Sequence, residues 1–321
     1  MRFGLRLPTF AVAPHPSLHT VGLYLRQAEQ LGFEAAVTVD RLLTTTPLYV
    51  CSWLEPMSLL SALAGVTERI RLGSMILVLP LHNPVYLAKA WATLDVLSGG
   101  RTIFGLGAGW NLQEFALIGV SHKQRGARLD EYLEIIRALW AGNRVTYRGR
   151  FYQFEDVSLE PKPLQQPRPP IWIGGGTQPN RALVTNIEAV LGRIARYADA
   201  WVPPASATPE LVRGDWEKIL TLAARLHRET QPTRVYSNFV HVLKRGERPE
   251  AAEPYFRRFS GMDSEYWRTH YLLGEAEEVV ERIRRRIAAC GGMEWIVLNP
   301  LSFDAEQLER LAGEVMPSLK G

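Results

Sequence analysis

The chain has 321 residues, 46% of them hydrophobic and 22% charged, with a formal net charge of +4 at pH 7. That balance excludes a disordered or fibrous chain, and so mild a positive charge, with no recognition motif beside it, argues against a nucleic-acid partner. No apolar run is long enough to cross a bilayer, and Met1–Leu7 before Pro8 is too short a run for a signal peptide, so a cytoplasmic protein with no membrane partner is expected.

Short β-branched or apolar runs alternate with amphipathic stretches along the whole chain. Phe3–Leu7 reads as a strand, and Leu18–Leu31 as a helix closed by Gly32. Ala35–Val39 is the second strand, and a helix is predicted from Trp53 to Thr67. Ile70–Leu79 reads as one apolar strand. Asn83-Pro84, a cap residue followed by proline at the first helical position, opens a helix that reaches Leu97 and stops at Ser98-Gly99-Gly100. Thr102–Gly107 is the fourth strand, and Leu129–Trp140 the helix after it. Val145–Tyr147 and Phe151–Phe154 flank Arg148-Gly149-Arg150 as a hairpin. Strands follow at Ile171–Ile173, Ala200–Val202, Val235–Leu243 and Trp295–Leu298, with helices at Val190–Tyr197, Leu211–Arg228, Glu275–Ala289 and Asp304–Leu319. The basic run Arg282–Ile287 reads as a solvated helix face paired with Glu277, Glu278 and Glu281. Eight alternating units predict an α/β fold, a closed (β/α)8 TIM barrel forming one domain over 1–321. Its insertions are expected at the C-terminal face of the strands, with a hairpin at about 143–170 and a loop at about 245–271.

The chemistry-bearing residues are few. Cys51 and Cys290 lie too far apart for a ligand or disulfide motif, no HExxH or other metal-spaced cluster occurs, and no GxSxG elbow occurs, so no metal is expected. Of the six lysines only Lys244 falls at the end of a central strand, which disfavours Schiff-base chemistry. Gly105-Leu106-Gly107-Ala108-Gly109-Trp110 has GxGxG rather than GxGxxG spacing and follows the fourth strand, so a Rossmann reading is weak. Either the glycines let backbone approach a flat ligand, or they make a tight turn. Gly174-Gly175-Gly176 can form an anion-binding nest or a purely conformational loop, and no helix start is obviously aimed at it. Asp40 ends the second strand, where barrel active sites are built, but a pair with Arg41 or a turn cap would also explain it. Asn111 and Glu114 are candidate ligand-orienting groups or, equally, a helix cap with its N3 partner. With so little acid–base machinery, a bound coenzyme is the natural carrier of a reaction.

In chain order, Ala28–Glu34, Val39–Leu42, Arg71–Ile76, His82–Lys89, Leu97–Arg101, Gly107–Asn111, Arg128–Glu131, Trp172–Gly176 and Tyr197–Trp201 together resemble the bacterial luciferase-like superfamily of flavin and deazaflavin oxidoreductases. The resemblance implies a coenzyme ring at the strand ends, backed by Ser74, Met75 and Ile76 with a non-prolyl cis bond at Met75–Ile76. It puts Asp40 at the ring's polar edge, Gly107, Ala108, Gly109, Trp110 and Asn111 beside the ring, and Gly174, Gly175 and Gly176 at the phosphate. Asp40, Asn111 and Glu114 are the candidate catalytic residues. Arg41 and Trp110 stand where the sugar-phosphate branch has a His and a Glu, which argues against that substrate class. Thr177–Glu188 also looks longer than in relatives. The implied activity is hydride transfer between coenzyme F-420 and a small organic substrate. The alternatives are an FMN monooxygenase supplied by a flavin reductase, and a non-catalytic flavin-binding barrel. A homodimer is implied as well. Tyr49, Trp53, Tyr255, Trp267 and Tyr271 are candidates for an apolar substrate pocket or for core packing.

Overall fold

Strands covered on both faces are unbroken apolar runs rather than alternating ones. The computed structural model, which describes residues 1–11, 14–179 and 186–320, follows that rule in the second and fourth strands, buried at every position. Eight strands run in chain order: β1 (Arg2–Arg6), β2 (Ala35–Thr38), β3 (Arg71–Ser74), β4 (Thr102–Gly107), β5 (Ile171–Gly174), β6 (Ala200–Val202), β7 (Thr233–Val242) and β8 (Trp295–Pro300). Each pairs in parallel with the next, and β8 returns to β1 from Arg2 opposite Trp295 to Leu5 opposite Leu298. The ring is a closed (β/α)8 barrel. Its interior is filled, not open: Trp172 and Trp295 meet edge to face at 5.1 Å among Val37, Ile103, Val235 and Val297.

Helices α1 (Leu18–Gln30), α2 (Pro56–Ala64), α3 (Pro84–Leu97), α4 (Arg125–Ala141), α5 (Ile187–Tyr197), α6 (Pro209–Arg225) and α7 (Ala276–Ala289) cover the outside, with α8 (Ala305–Arg310) continuing through a π turn to Lys320. Among the described residues no helix is long and apolar enough to cross a membrane. At the N-terminal ends of the strands, the Arg101 fork donates to the carbonyls of Ala64, Thr67, Ile70 and Ser98. Asp199 there accepts from Arg168 and from the Ile171 N–H.

Three local differences from the sequence reading have physical reasons. The run Ile70–Leu79 is not one strand: it breaks at a cis Met75–Ile76 bond, and Leu77–Val78 pairs with β4 beyond the break. The helix expected from Trp53 starts at Pro56, because Glu55 caps it through the Met57 and Ser58 N–H groups and Ser52-Trp53 pairs with Phe10-Ala11 instead. In the basic run only Arg285 makes the expected (i, i+4) pair, with Glu281; Arg282, Arg284 and Arg286 donate to backbone carbonyls.

The hairpin (Val145–Arg148 with Gln153–Val157) lies in the connection entering β5, on the N-terminal side of the strands, whereas 245–271 follows β7 onto the C-terminal side. Glu131 of α4 holds the hairpin's tip by accepting the N–H groups of Arg150, Phe151 and Tyr152 at 2.9, 2.8 and 2.7 Å. Glu131→Ala strands those donors, and the expected loss is about 3 kcal/mol of stability, with new tryptic cleavage at Arg148 or Arg150. An unchanged melting temperature and digestion pattern would contradict this.

Candidate functional site

The C-terminal face divides into two halves. Segments following β1, β2 and β8, together with β7 and the 245–271 excursion, form an aromatic plug of Phe10, Phe239, Phe256, Phe259, Trp267 and Tyr271. Phe239 stacks on Phe259 at 4.5 Å and meets Tyr271 at 5.0 Å, and Tyr49, Trp53 and Tyr255 pack against the same cluster. The aromatics offered by the sequence for a substrate pocket therefore pack largely on one another. Cys51 is buried among them; burial pushes its thiol up to about 12, so it stays protonated at neutral pH and is no nucleophile.

Over β3 to β6 lies a cavity of about 620 Å³. Its floor is Met75 and Ile76 at the strand break, with Ala108, Gly109 and Trp110 on one side and Gly174 to Gly176 on another. Beneath it the backbone approaches closely: a Cβ at Gly107 would lie 2.1 Å from Ile76 Cδ1. At Gly109 the backbone adopts φ +75°, and a Cβ would lie 2.4 Å from Val78 Cγ1. Ser74 and Gly107 sit behind this wall, with the Ser74 hydroxyl donating to the Gly105 carbonyl at 2.5 Å.

The acids are engaged elsewhere. Asp40 Oδ2 accepts the Val78 N–H at 2.8 Å and lies 2.7 Å from His82 Nε2, tying the end of β2 to the chain beyond the β3 break. It does not pair with Arg41. Arg41 instead lies over the rings of Tyr49 and Trp110, 3.9 Å from Glu114. Glu114 accepts the N–H groups of Leu42 and Leu43 at 3.1 and 3.2 Å. Asn111 caps the helix Leu112–Ile118 through the Gln113 N–H, but Glu114 turns away from it, so the capping arrangement is only half built. Asp40, Asn111 and Glu114 are not among the residues bordering the cavity.

The glycine run is partly self-satisfied. Gly175 donates to the Val202 carbonyl at 3.2 Å, and Thr177 donates its N–H and hydroxyl to Asp215 at 2.6 and 2.8 Å. Residues 180–185 of the long Thr177–Glu188 stretch lie outside the described residues. The start of α5 borders the cavity through Asn186, Ala189 and Val190. Lys123, Arg125 and Arg193 make that corner basic, with Arg193 held by Asp130 at 2.5 Å. Arg6 borders the cavity from the barrel's far side. Sequence reasoning missed these cations and Asp215, because Arg6, the Lys123–Arg125 segment, Arg193 and Asp215 come from different elements and no local spacing links them.

An apolar floor, glycine walls and a basic corner suit a flat ring carrying a phosphate. The family model for luciferase-like monooxygenases matches residues 1–264. The chain belongs to this family. An uncharacterized protein of Mycobacterium tuberculosis is 41% identical over 150 residues, covering 46% of this chain and 49% of that protein. The FMNH2-dependent dimethylsulfone monooxygenase of Pseudomonas putida is 32% identical over 163 residues, covering 50% of this chain and 44% of that protein. These alignments thus span only about half of the curated relatives. Among solved structures, the monooxygenase RslO1 from Streptomyces bottropensis superposes with a TM-score of 0.82 at 23% identity, covering 99% of this chain and 100% of that one. An F420-dependent secondary alcohol dehydrogenase in complex with an F420-acetone adduct gives 0.79 at 18% identity, covering 100% and 99%. At such identities these likenesses speak for the barrel fold.

Proposed function

We propose that this luciferase-like oxidoreductase holds coenzyme F-420 in the 620 Å³ cavity and transfers hydride to or from a small organic substrate. The reading rests on one observation. The cavity shares Pro203 to Ala205 and Ser237 with a second cavity of about 360 Å³ bordered by Arg282 and Arg286, with no carboxylate among the described residues of its wall. Such continuity suits a coenzyme whose side chain extends, with further anionic groups, beyond one phosphate. Met75, Ile76 and Ala108 would carry the ring, Lys123 and Arg125 the phosphate, and Asn186 with the first turn of α5 would add donors. Bound there, the deazaflavin supplies the hydride chemistry at its C5. The chain's own share is to hold the ring on an apolar floor, with the one acid on the described cavity wall, Asp130, taken up by Arg193.

One observation favours a second reading, an FMN monooxygenase fed by a reductase: the relative 32% identical over 163 residues is FMNH2-dependent. Titration of the purified protein with F-420 and with FMN, followed by absorbance and fluorescence, separates the two. F-420 is expected to bind at least about tenfold more tightly, and Lys123→Glu to weaken it by a similar factor. Preference for FMN, with oxygen uptake on reduction, transfers the assignment to the second reading; binding of neither removes both.

A further inference from the structure

Arg6 is the last residue of β1 and stands where the aromatic plug meets the cavity. Its guanidinium lies 4.4 Å from the centroid of the Phe239 ring, and Phe239 is in turn stacked on Phe259. One face of the fork is therefore occupied, and the N–H edges remain for partners in the plane. Those edges have none in the protein: among the described residues Arg6 makes no ion pair and no hydrogen bond. The titratable groups near enough to act on it are the phenols of Tyr49 and Tyr271, the thiol of Cys51 and the like charge of Arg41. Burial, helped by Arg41, draws its pKa below the ordinary guanidinium value, although it remains a cation at neutral pH. Arg41 differs: it has Glu114 at 3.9 Å. Among the described residues Arg6 is thus a cation without an acid partner, held against Phe239 at the edge of the cavity.

A half-buried guanidinium without a counter-ion is destabilising and gains most from a planar anion that takes two of its N–H groups at once. We infer that Arg6 is a specificity residue that binds a carboxylate, or an equivalent planar oxyanion, on the substrate, so that the enzyme's substrates are small organic acids. The anion sits against Arg6, and the remainder of the molecule extends along the Met75-Ile76 floor. The assignment rests on the reading of this cavity as the reaction site. Arg6, on the cavity's far side, takes the substrate, while Lys123 and Arg125 are left to the coenzyme.

The experiment compares carboxylates with their neutral amides: benzoate with benzamide, and phenylacetate with phenylacetamide. Binding is followed by tryptophan fluorescence, Trp110 being on the cavity wall, in wild type, Arg6→Met and Arg6→Lys. The same three proteins are titrated with F-420 and FMN. Wild type is expected to prefer the acids by about tenfold or more, with a preference that falls as salt rises. Arg6→Met is expected to lose the preference while melting no lower than wild type, since an apolar side chain replaces an unpaired charge. Arg6→Lys, which keeps the charge without the fork, retains part of it. Coenzyme affinity is expected to stay the same in all three. Equal binding of acid and amide by wild type overturns the assignment, as does an undiminished preference in Arg6→Met. If Arg6→Met does not fold, a full preference in Arg6→Lys overturns the two-point contact. Weakened coenzyme binding in the variants, with no acid preference in wild type, moves Arg6 to the coenzyme and also overturns it. Failure of both coenzymes to bind would remove the functional reading above but leave the acid preference to be scored separately.

Discussion

Gly105→Ala is expected to cost about 4 kcal/mol or more of stability, close to what the fold can lose, whereas Gly107→Ala two residues along the same strand costs about 1 kcal/mol. A Cβ at Gly105 would lie 1.8 Å from the Ser74 carbonyl oxygen and 2.9 Å from its carbon. Both are backbone atoms of β3, so no rotamer relieves the clash. The strands must separate where the Ser74 hydroxyl donates to the Gly105 carbonyl and where Gly73 pairs with Ile103. At Gly107 the obstruction is Ile76 Cδ1 at 2.1 Å, the far end of a flexible side chain that can rotate. Ile76 borders the cavity, so its displacement should leave the protein folded but weaken coenzyme binding by about tenfold in Gly107→Ala. Thermal unfolding and coenzyme titration of both variants decide the matter. Similar melting temperatures for the two would show that the strand contact at Gly105 is looser than drawn.

The contrast between these glycines also marks what could be read in advance. Strand β4 and helix α3 have the predicted bounds, because their signals are local: Asn83 caps through the Val85 and Tyr86 N–H groups, and Gly99 and Gly100 stop the chain at φ +69° and +79°. The β3 break was invisible to periodicity, since Ile70–Leu79 is apolar throughout; only the family resemblance pointed to Met75–Ile76. Pairing of Ser52-Trp53 with Phe10-Ala11 depends on a partner forty residues away, which no window around Trp53 contains. Parts of the resemblance lie in scaffold: Arg101 and Asp199 bind carbonyls and strand starts far from the cavity. The glycine walls were legible as glycine chemistry. The charges that give the cavity its polarity were not, because Arg6, Lys123 and Arg193 meet only through the closed ring.

Glu114 is the acid for which position and environment diverge most. It is 3% exposed, accepts two backbone N–H groups and is the acid that pairs with Arg41. Glu114→Ala leaves two donors and a guanidinium unsatisfied, and about 3 kcal/mol of stability is the expected loss. Glu114→Gln keeps an acceptor oxygen and should lose about 1 kcal/mol. If Glu114 were instead the acid or base of the reaction, Glu114→Gln would depress kcat and leave Tm in place, so chemical denaturation beside steady-state rates separates the roles. The loop carrying Arg41 is the linking element. Released from Glu114, Arg41 becomes a second uncompensated cation near Arg6, and each disfavours the other. Removing Arg41 as well should therefore restore part of what Glu114→Ala loses, and Glu114→Ala/Arg41→Met is expected to be more stable than Glu114→Ala by about 1 kcal/mol. Additive losses in that cycle would mean that the two side chains do not act as a pair, and that Glu114 serves the Leu42 and Leu43 backbone alone.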